Sequence, residues 1–179
     1  MKRVHKMTIA GLERELPLCP IDDNTDIAAF VIFSDVEITI AAAKALLEKV
    51  PEFDVIVTSE AKGIPLAYEM SRQSGKPYIV ARKKIKLYMK DNVSIEVKSI
   101  TTEGKQMLYI SGDKAEMLKG KRVLIADDVI STGGSLAALE QLIKNTGGEV
   151  VGKAAVLAEG VAAERKDIIF LETLPLFKR

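Results

Sequence analysis

Short apolar runs alternate with helical patterns along most of this chain of 179 residues. Each helical pattern ends at a helix-stopping residue, such as Pro51 or Gly75. Strand–helix–strand repetition is typical of an α/β fold, an open parallel sheet with helices on both faces. In such a sheet the strands end at one common edge, where ligands bind. The predicted strands are 29–33, 54–58, 78–81, 123–126, 150–158 and 168–171, and the predicted helices are 37–50, 64–74 and 135–145.

The middle of the chain departs from this pattern. Residues 83–113 are polar, with alternating pieces at 93–100 and 106–110. This alternation predicts a β-hairpin or flexible flap over the ligand-binding edge of the sheet. The chain shows no internal repeat and no linker, so residues 1–179 are expected to form one domain.

The composition is that of a globular protein and gives no reason to expect a nucleic-acid or membrane partner. Basic residues number 26 and acidic residues 25, so the net charge is +1. No apolar run approaches the roughly 20 residues of a membrane span. The basic start of the chain lacks the apolar region of a signal peptide, which favours the cytoplasm. Cys19 is the only cysteine, so no intramolecular disulfide can form.

The segment VLIADDVISTGGS, Val123–Ser135, combines two features that favour one ligand. Asp127 and Asp128 follow an apolar strand and are expected where the sheet meets solvent, and their carboxylates are hydrogen-bond acceptors suited to vicinal hydroxyls. A small, hydroxyl-rich loop then opens a helix, where backbone amides favour an anion. Either feature alone could be structural, as loop solvation or a helix cap, but together they predict a ribose 5-phosphate site. The loop residues are Ser131, Thr132, Gly133, Gly134 and Ser135.

This segment resembles the phosphoribosyl-pyrophosphate (PRPP) signature of the type I phosphoribosyltransferases. Two further segments support the resemblance, which covers roughly residues 54–158. Glu60, Ala61, Lys62 and Gly63 resemble the short pyrophosphate-binding loop, with lysine in place of the arginine of adenine phosphoribosyltransferases. Residues 80–86, Val-Ala-Arg-Lys-Lys-Ile-Lys, resemble the Arg-Lys-x-x-Lys segment of the adenine and xanthine enzymes.

The resemblance implies transfer of the phosphoribosyl group from PRPP to a nucleobase, with release of pyrophosphate. Asp127 and Asp128 would act at the ribose hydroxyls and would hold Mg²⁺ indirectly, through water or PRPP. Basic side chains would neutralise the leaving pyrophosphate, although a solvated basic face is the alternative for this run. These basic residues are Lys62, Arg82, Lys83 and Lys86.

The base-binding residues are less well defined. Thr102–Lys105 resembles a flap of adenine phosphoribosyltransferases, which makes Glu103 a candidate acid–base group or else an exposed turn residue. The family implies a small hood, built from the N-terminal segment and parts near the C-terminus, over the base. There Phe33 is a candidate for stacking on a purine, although core packing is the favoured interpretation. The family also implies a homodimer.

An adenine-like purine is the favoured base. The flap segment lacks the histidine of orotate enzymes, and Asp127 differs from the glutamate usual in hypoxanthine-guanine enzymes. The alternative function is a regulatory protein that binds PRPP or a nucleotide without turnover. The chain shows neither a helix-turn-helix extension nor an excess of basic residues in favour of a DNA-binding regulator.

Overall fold

The structure, a computed structural model, describes residues 3–97 and 106–178. The strands and helices of the described residues follow one another along the chain in this order: β1 (Val4–Ile9), β2 (Leu12–Pro20), β3 (Thr25–Ala28), α1 (Val36–Leu47), β4 (Val55–Ser59), α2 (Gly63–Ser74), β5 (Tyr78–Ala81), β6 (Val93–Val97), β7 (Gln106–Ile110), α3 (Gly112–Leu118), β8 (Arg122–Ile130), α4 (Gly134–Asn145), β9 (Glu149–Glu159), a 3₁₀ turn (Gly160–Glu164), β10 (Ile169–Leu174) and β11 (Leu176–Lys178).

A five-stranded parallel sheet forms the centre of the molecule, in the order β10-β9-β8-β4-β5. This arrangement confirms the predicted α/β class. The chain builds β4 and then β5 on one side, before it crosses to β8 on the other side of β4. The strand order therefore reverses between β4 and β8, and a crevice forms at such a point because the flanking connections diverge.

The helices cover both faces of this sheet. Buried side chains of α1 and α2 pack on one face, together with Leu124 and Ala126 of β8. Those of α4 pack on the other face, with Val123 and Ile125 of the same strand. Successive strand residues point to opposite faces, so the apolar run of β8 supplies both cores.

The ends of α1, α2 and α4 agree with the predicted helices to within three residues, whereas the sequence analysis did not predict α3. Helix α1 ends at Leu47, shortly before Pro51. Helix α2 ends at Ser74 and is capped by Gly75, whose φ of 69° is the left-handed conformation that glycine adopts at little cost. Within the two described ranges, no helix is both long and apolar enough to cross a membrane.

A second sheet, antiparallel and in the order β1-β2-β3-β11, combines the N-terminal segment with the C-terminal strand. It corresponds to the hood expected from both ends of the chain. The predicted strand at 29–33 is wrong, because β3 ends at Ala28. Within 29–33, Phe30 and Ile32 are buried while Val31 and Phe33 are exposed. The alternating exposure at 29–33 thus shows only which side chains are buried. A strand also requires a neighbouring strand with which its backbone can form hydrogen bonds.

The middle insertion forms the predicted hairpin, since β6 and β7 pair antiparallel. Its body packs on α4, where Val97, Leu108 and Ile110 share a core with Leu139. Two backbone hydrogen bonds of 2.8 Å between Arg82 and Tyr109 join β7 to the end of β5. The segment between the two strands, which includes Glu103, lies outside the described residues.

Candidate functional site

Three loops converge at the carboxyl edge of the parallel sheet. The loop after β4 leads into α2, the loop after β8 leads into α4, and the loop after β5 carries the basic run. A hydrogen bond of 3.0 Å from the amide of Glu60 to the carbonyl of Ala81 links the ends of β4 and β5. Because α2 and α4 leave on opposite faces, the crevice opens between the first two loops.

The acidic pair lies inside strand β8. The sequence places Asp127 and Asp128 where the sheet meets solvent, and this is wrong for Asp128, which is only 4% exposed because β8 continues to Ile130. The two carboxylates have different surroundings. Asp127 lines a cavity with the loop before α4, whereas Asp128 forms an ion pair of 2.9 Å with Lys62. This ion pair spans the crevice from β8 to the start of α2.

Burial gives the Asp127 carboxyl an unusual proton affinity. Removal from water and the neighbouring Asp128 raise its pKa to about 8, and the hydrogen bond of 2.9 Å from the Asp128 amide opposes this only in part. Lys62 also favours the ionised form of Asp127. A ligand that brought hydroxyl donors or a cation would stabilise the ionised form further.

The loop between β8 and α4 has the features of an anion site. Gly133 has φ of 81°, the left-handed region that glycine enters without strain, and it precedes the first residue of α4. Among the described residues, no side chain caps this helix, so its first amides lack a side-chain acceptor. The loop, Asp127 and Leu136 enclose a cavity of about 80 Å³. Such a cavity suits one phosphate group.

The start of α2 approaches β8 closely, and only glycine permits this. A Cβ at Gly63 would clash with Thr58 Oγ1 and lie 2.7 Å from Asp127 Oδ1. The peptide bond between Glu60 and Ala61 in the same loop is cis. The absence of a side chain at Gly63 therefore allows the first turn of α2 to face the acidic pair.

Glu60 joins the loop after β4 to the basic run. One carboxylate oxygen lies 2.8 Å from Arg82 Nε, and the other accepts a hydrogen bond of 2.7 Å from the amide of Lys83. Arg82 is thereby held at the sheet edge, while the side chain of Lys83 is exposed and that of Lys86 is half-buried. Glu60 therefore holds a cation at the carboxyl edge of the sheet.

A family model described as "Phosphoribosyl transferase domain" matches residues 35–176, well over half of the chain. The chain belongs to this family. It is 40% identical over 109 residues to a hypoxanthine/guanine phosphoribosyltransferase of Methanosarcina acetivorans. This aligned region covers 61% of this chain and 54% of the relative. It is 38% identical over 115 residues to an adenine phosphoribosyltransferase of Thermotoga petrophila. That aligned region covers 64% of this chain and 65% of the relative.

The fold of the phosphoribosyltransferases is matched over most of the chain. A solved adenine phosphoribosyltransferase from Thermoanaerobacter pseudethanolicus superposes with a TM-score of 0.74 at 24% sequence identity. The match covers 88% of this chain and 95% of that structure. In contrast, the chain spans only about half the length of the Methanosarcina relative.

The structure brings most of the predicted residues to one edge. Asp127, the loop 131–135, Lys62 and the linked pair of Glu60 and Arg82 lie around the ends of three neighbouring strands. For Phe33, the favoured interpretation of core packing is wrong, because the side chain is 46% exposed. The role of Glu103 stays a prediction.

Two charged residues near the site were missed by sequence reasoning. Glu159 ends β9, next to β8, and burial raises the pKa of its carboxyl against the opposing charge of Lys62. A charged residue at the end of an apolar run is a signal that could have identified it. Arg165 lies against Gly133, 32 positions earlier in the chain, and no local pattern indicates that contact.

Replacement of Asp127 by asparagine should stabilise the free protein at pH 8. An unfolded aspartate ionises near pH 4, while folded Asp127 does so at about pH 8. Between these values the folded state binds the extra proton, so the stability contributed by Asp127 falls as pH rises. The melting temperature of Asp127→Asn should therefore exceed that of the parent at pH 8, and by less at pH 5.

Asp54→Asn is the matched control with the opposite sign. Hydrogen bonds from Arg122 lower the pKa of Asp54, so its ionised form stabilises the fold above the unfolded pKa. Thermal unfolding of both variants at the two pH values tests the assignment. A lower melting temperature for Asp127→Asn at pH 8 would contradict it.

Proposed function

We propose that this protein transfers the 5-phosphoribosyl group of PRPP to a purine base in purine salvage. The observation that carries the proposal is the single connection from β8 to α4. It holds Asp127 and the buried Asp128 beside a small cavity lined by the loop 131–135, at the point where the strand order of the sheet reverses. A ribose 5-phosphate needs acceptors for two hydroxyls and donors for one phosphate.

In the proposed reaction, a nitrogen of the base forms a bond to C1 of the ribose. The bond from C1 to the pyrophosphate oxygen breaks, and pyrophosphate leaves with the electron pair. Positive charge develops on the ribose and negative charge on the leaving group, so fixed countercharges favour the transition state. The base nitrogen then loses its proton, for which Glu103 is the candidate acceptor.

Each part of the site has a proposed role in this reaction. The amides of residues 131–135 bind the 5-phosphate, and the carboxylates of Asp127 and Asp128 accept the ribose hydroxyls. Lys62 and Arg82 are held by Asp128 and Glu60 in the free protein. We propose that both cations shift toward the pyrophosphate when it binds, assisted by Lys83 and Lys86.

Mg²⁺ is the proposed cofactor. Among residues 3–97 and 106–178, no group of three or more acidic, histidine or cysteine side chains could hold a metal ion alone. The two carboxylates nevertheless fit an ion that keeps several of its waters, since they would hold it indirectly, through those waters or through PRPP oxygens. When bound, Mg²⁺ would supply charge neutralisation at the pyrophosphate.

Adenine is the proposed base, on the sequence features of the flap and the acidic pair. Relatives named for adenine and for hypoxanthine/guanine are 38% and 40% identical to the chain over similar lengths. A screen of adenine, guanine, hypoxanthine, xanthine, uracil and orotate with PRPP and Mg²⁺ distinguishes them. PRPP binding without pyrophosphate release from any base would instead favour a regulatory role.

A homodimer in the cytoplasm is the proposed form. An exposed apolar face on α1 and α2 supports self-association, since Val36, Ile40 and Tyr68 border one groove of about 240 Å³. Light scattering should give twice the chain mass, and Tyr68→Lys should shift it toward one chain mass. Met117→Lys, at an exposed position on α3, is the control and should not change the mass. A parent protein of one chain mass would refute the dimer.

The acidic pair should be required for turnover. Asp128→Asn removes the charge at the ribose hydroxyls and should lower kcat/KM at least tenfold, about 1.4 kcal/mol of transition-state stabilisation. Pyrophosphate release with each base is the measurement. Asp54→Asn, at the opposite end of the sheet, is the control and should stay within twofold of the parent. If Asp128→Asn also stayed within twofold of the parent, the acidic pair would have only a structural role.

Arg82 should act mainly in the transition state. If it holds the leaving pyrophosphate, its contact strengthens as charge builds, so Arg82→Ala should lower kcat and not only raise the KM for PRPP. Arg82→Lys should recover only part of the loss, because lysine lacks the bidentate fork. A normal kcat with a raised KM would instead indicate uniform attraction of PRPP.

A further inference from the structure

The guanidinium of Arg165 lies directly against the loop 131–135 between β8 and α4, here called the phosphate loop. A Cβ on Gly133 would be 2.8 Å from Arg165 Nη1, so the guanidinium occupies the space beside this left-handed residue. Arg165 follows the 3₁₀ turn after β9 and is one-third exposed. It therefore reaches the loop from a different connection of the sheet.

Asp167 holds this guanidinium in place. Its two carboxylate oxygens accept hydrogen bonds of 2.9 Å from Arg165 Nε and 2.7 Å from Nη2. Neither contact uses Nη1, the atom that faces Gly133. The fork geometry fixes the plane of the guanidinium, and these contacts lower the pKa of Asp167.

The same carboxylate connects to helix α4. Lys153 on β9 donates to Asp167 at 2.6 Å and to Glu140 on α4 at 2.8 Å. The Lys153 side chain is largely buried, whereas its partners Glu140 and Asp167 are partly exposed. Both the phosphate loop and the helix that it opens are thereby tied to the connection between β9 and β10.

We propose that Arg165 is a positioning residue of the phosphate loop, where its guanidinium, fixed by Asp167, holds the backbone at Gly133 in the conformation that binds the ribose 5-phosphate. This inference rests on the proposed function. A loop that is ordered before binding loses less conformational freedom when the phosphate enters. Arg165 itself contacts the loop and not the reacting atoms, so it affects binding of the phosphate and not the chemical step.

The test measures ribose 5-phosphate binding by calorimetry and steady-state kinetics with PRPP. Arg165→Ala should weaken ribose 5-phosphate binding at least tenfold and raise the KM for PRPP similarly, with kcat within threefold of the parent. Asp167→Asn should act in the same direction with a smaller effect. The double variant should bind no more weakly than Arg165→Ala, because both substitutions remove one interaction.

Arg122→Ala is the matched control. Arg122 forms the same forked pair with Asp54, but at the amino end of β8, away from the loop. It should lose stability in thermal unfolding without any change in ribose 5-phosphate binding. Unchanged binding in Arg165→Ala, or a lowered kcat with unchanged binding, would overturn the proposal. A parent protein that neither binds ribose 5-phosphate nor uses PRPP would refute the proposed function instead.

Discussion

Strand β4 pairs with β8 in parallel, with Val55, Ile56 and Val57 opposite Val123, Leu124 and Ile125. This pairing joins segments far apart in the chain and separates the two helices that follow them onto opposite faces of the sheet. A crevice forms between the first turns of these helices because the two connections leave the sheet toward opposite faces. Without this register, Lys62 could not reach Asp128, and Gly63 could not lie beside Asp127.

Burial of the acidic pair is an unfavourable contribution to the fold. Desolvation and mutual repulsion raise the pKa of Asp127, and one lysine compensates only in part. Such strain persists where a ligand relieves it, because perturbed proton affinities concentrate at functional sites. In the free protein the ion pair of Lys62 with Asp128 supplies part of that compensation.

Charged residues outside the three loops connect the site to the rest of the molecule. Glu60 holds the basic run to the end of β4, and Asp167 holds Arg165 against the loop before α4. Each carboxylate binds a cation that faces the site. The site is therefore supported by ion pairs from neighbouring connections as well as by its own backbone.

The sequence by itself determined the fold class, the approximate bounds of α1, α2 and α4, and the segment Val123–Ser135, because hydrophobic periodicity and glycine position are local properties. It wrongly predicted a strand at 29–33 and a solvent-exposed Asp128, since pairing partners and strand length depend on distant segments. Tertiary structure alone decided the contacts of Lys62 with Asp128 and of Arg165 with Gly133. These contacts join residues that no local pattern relates, and only the packing of one strand connection against another brings them together.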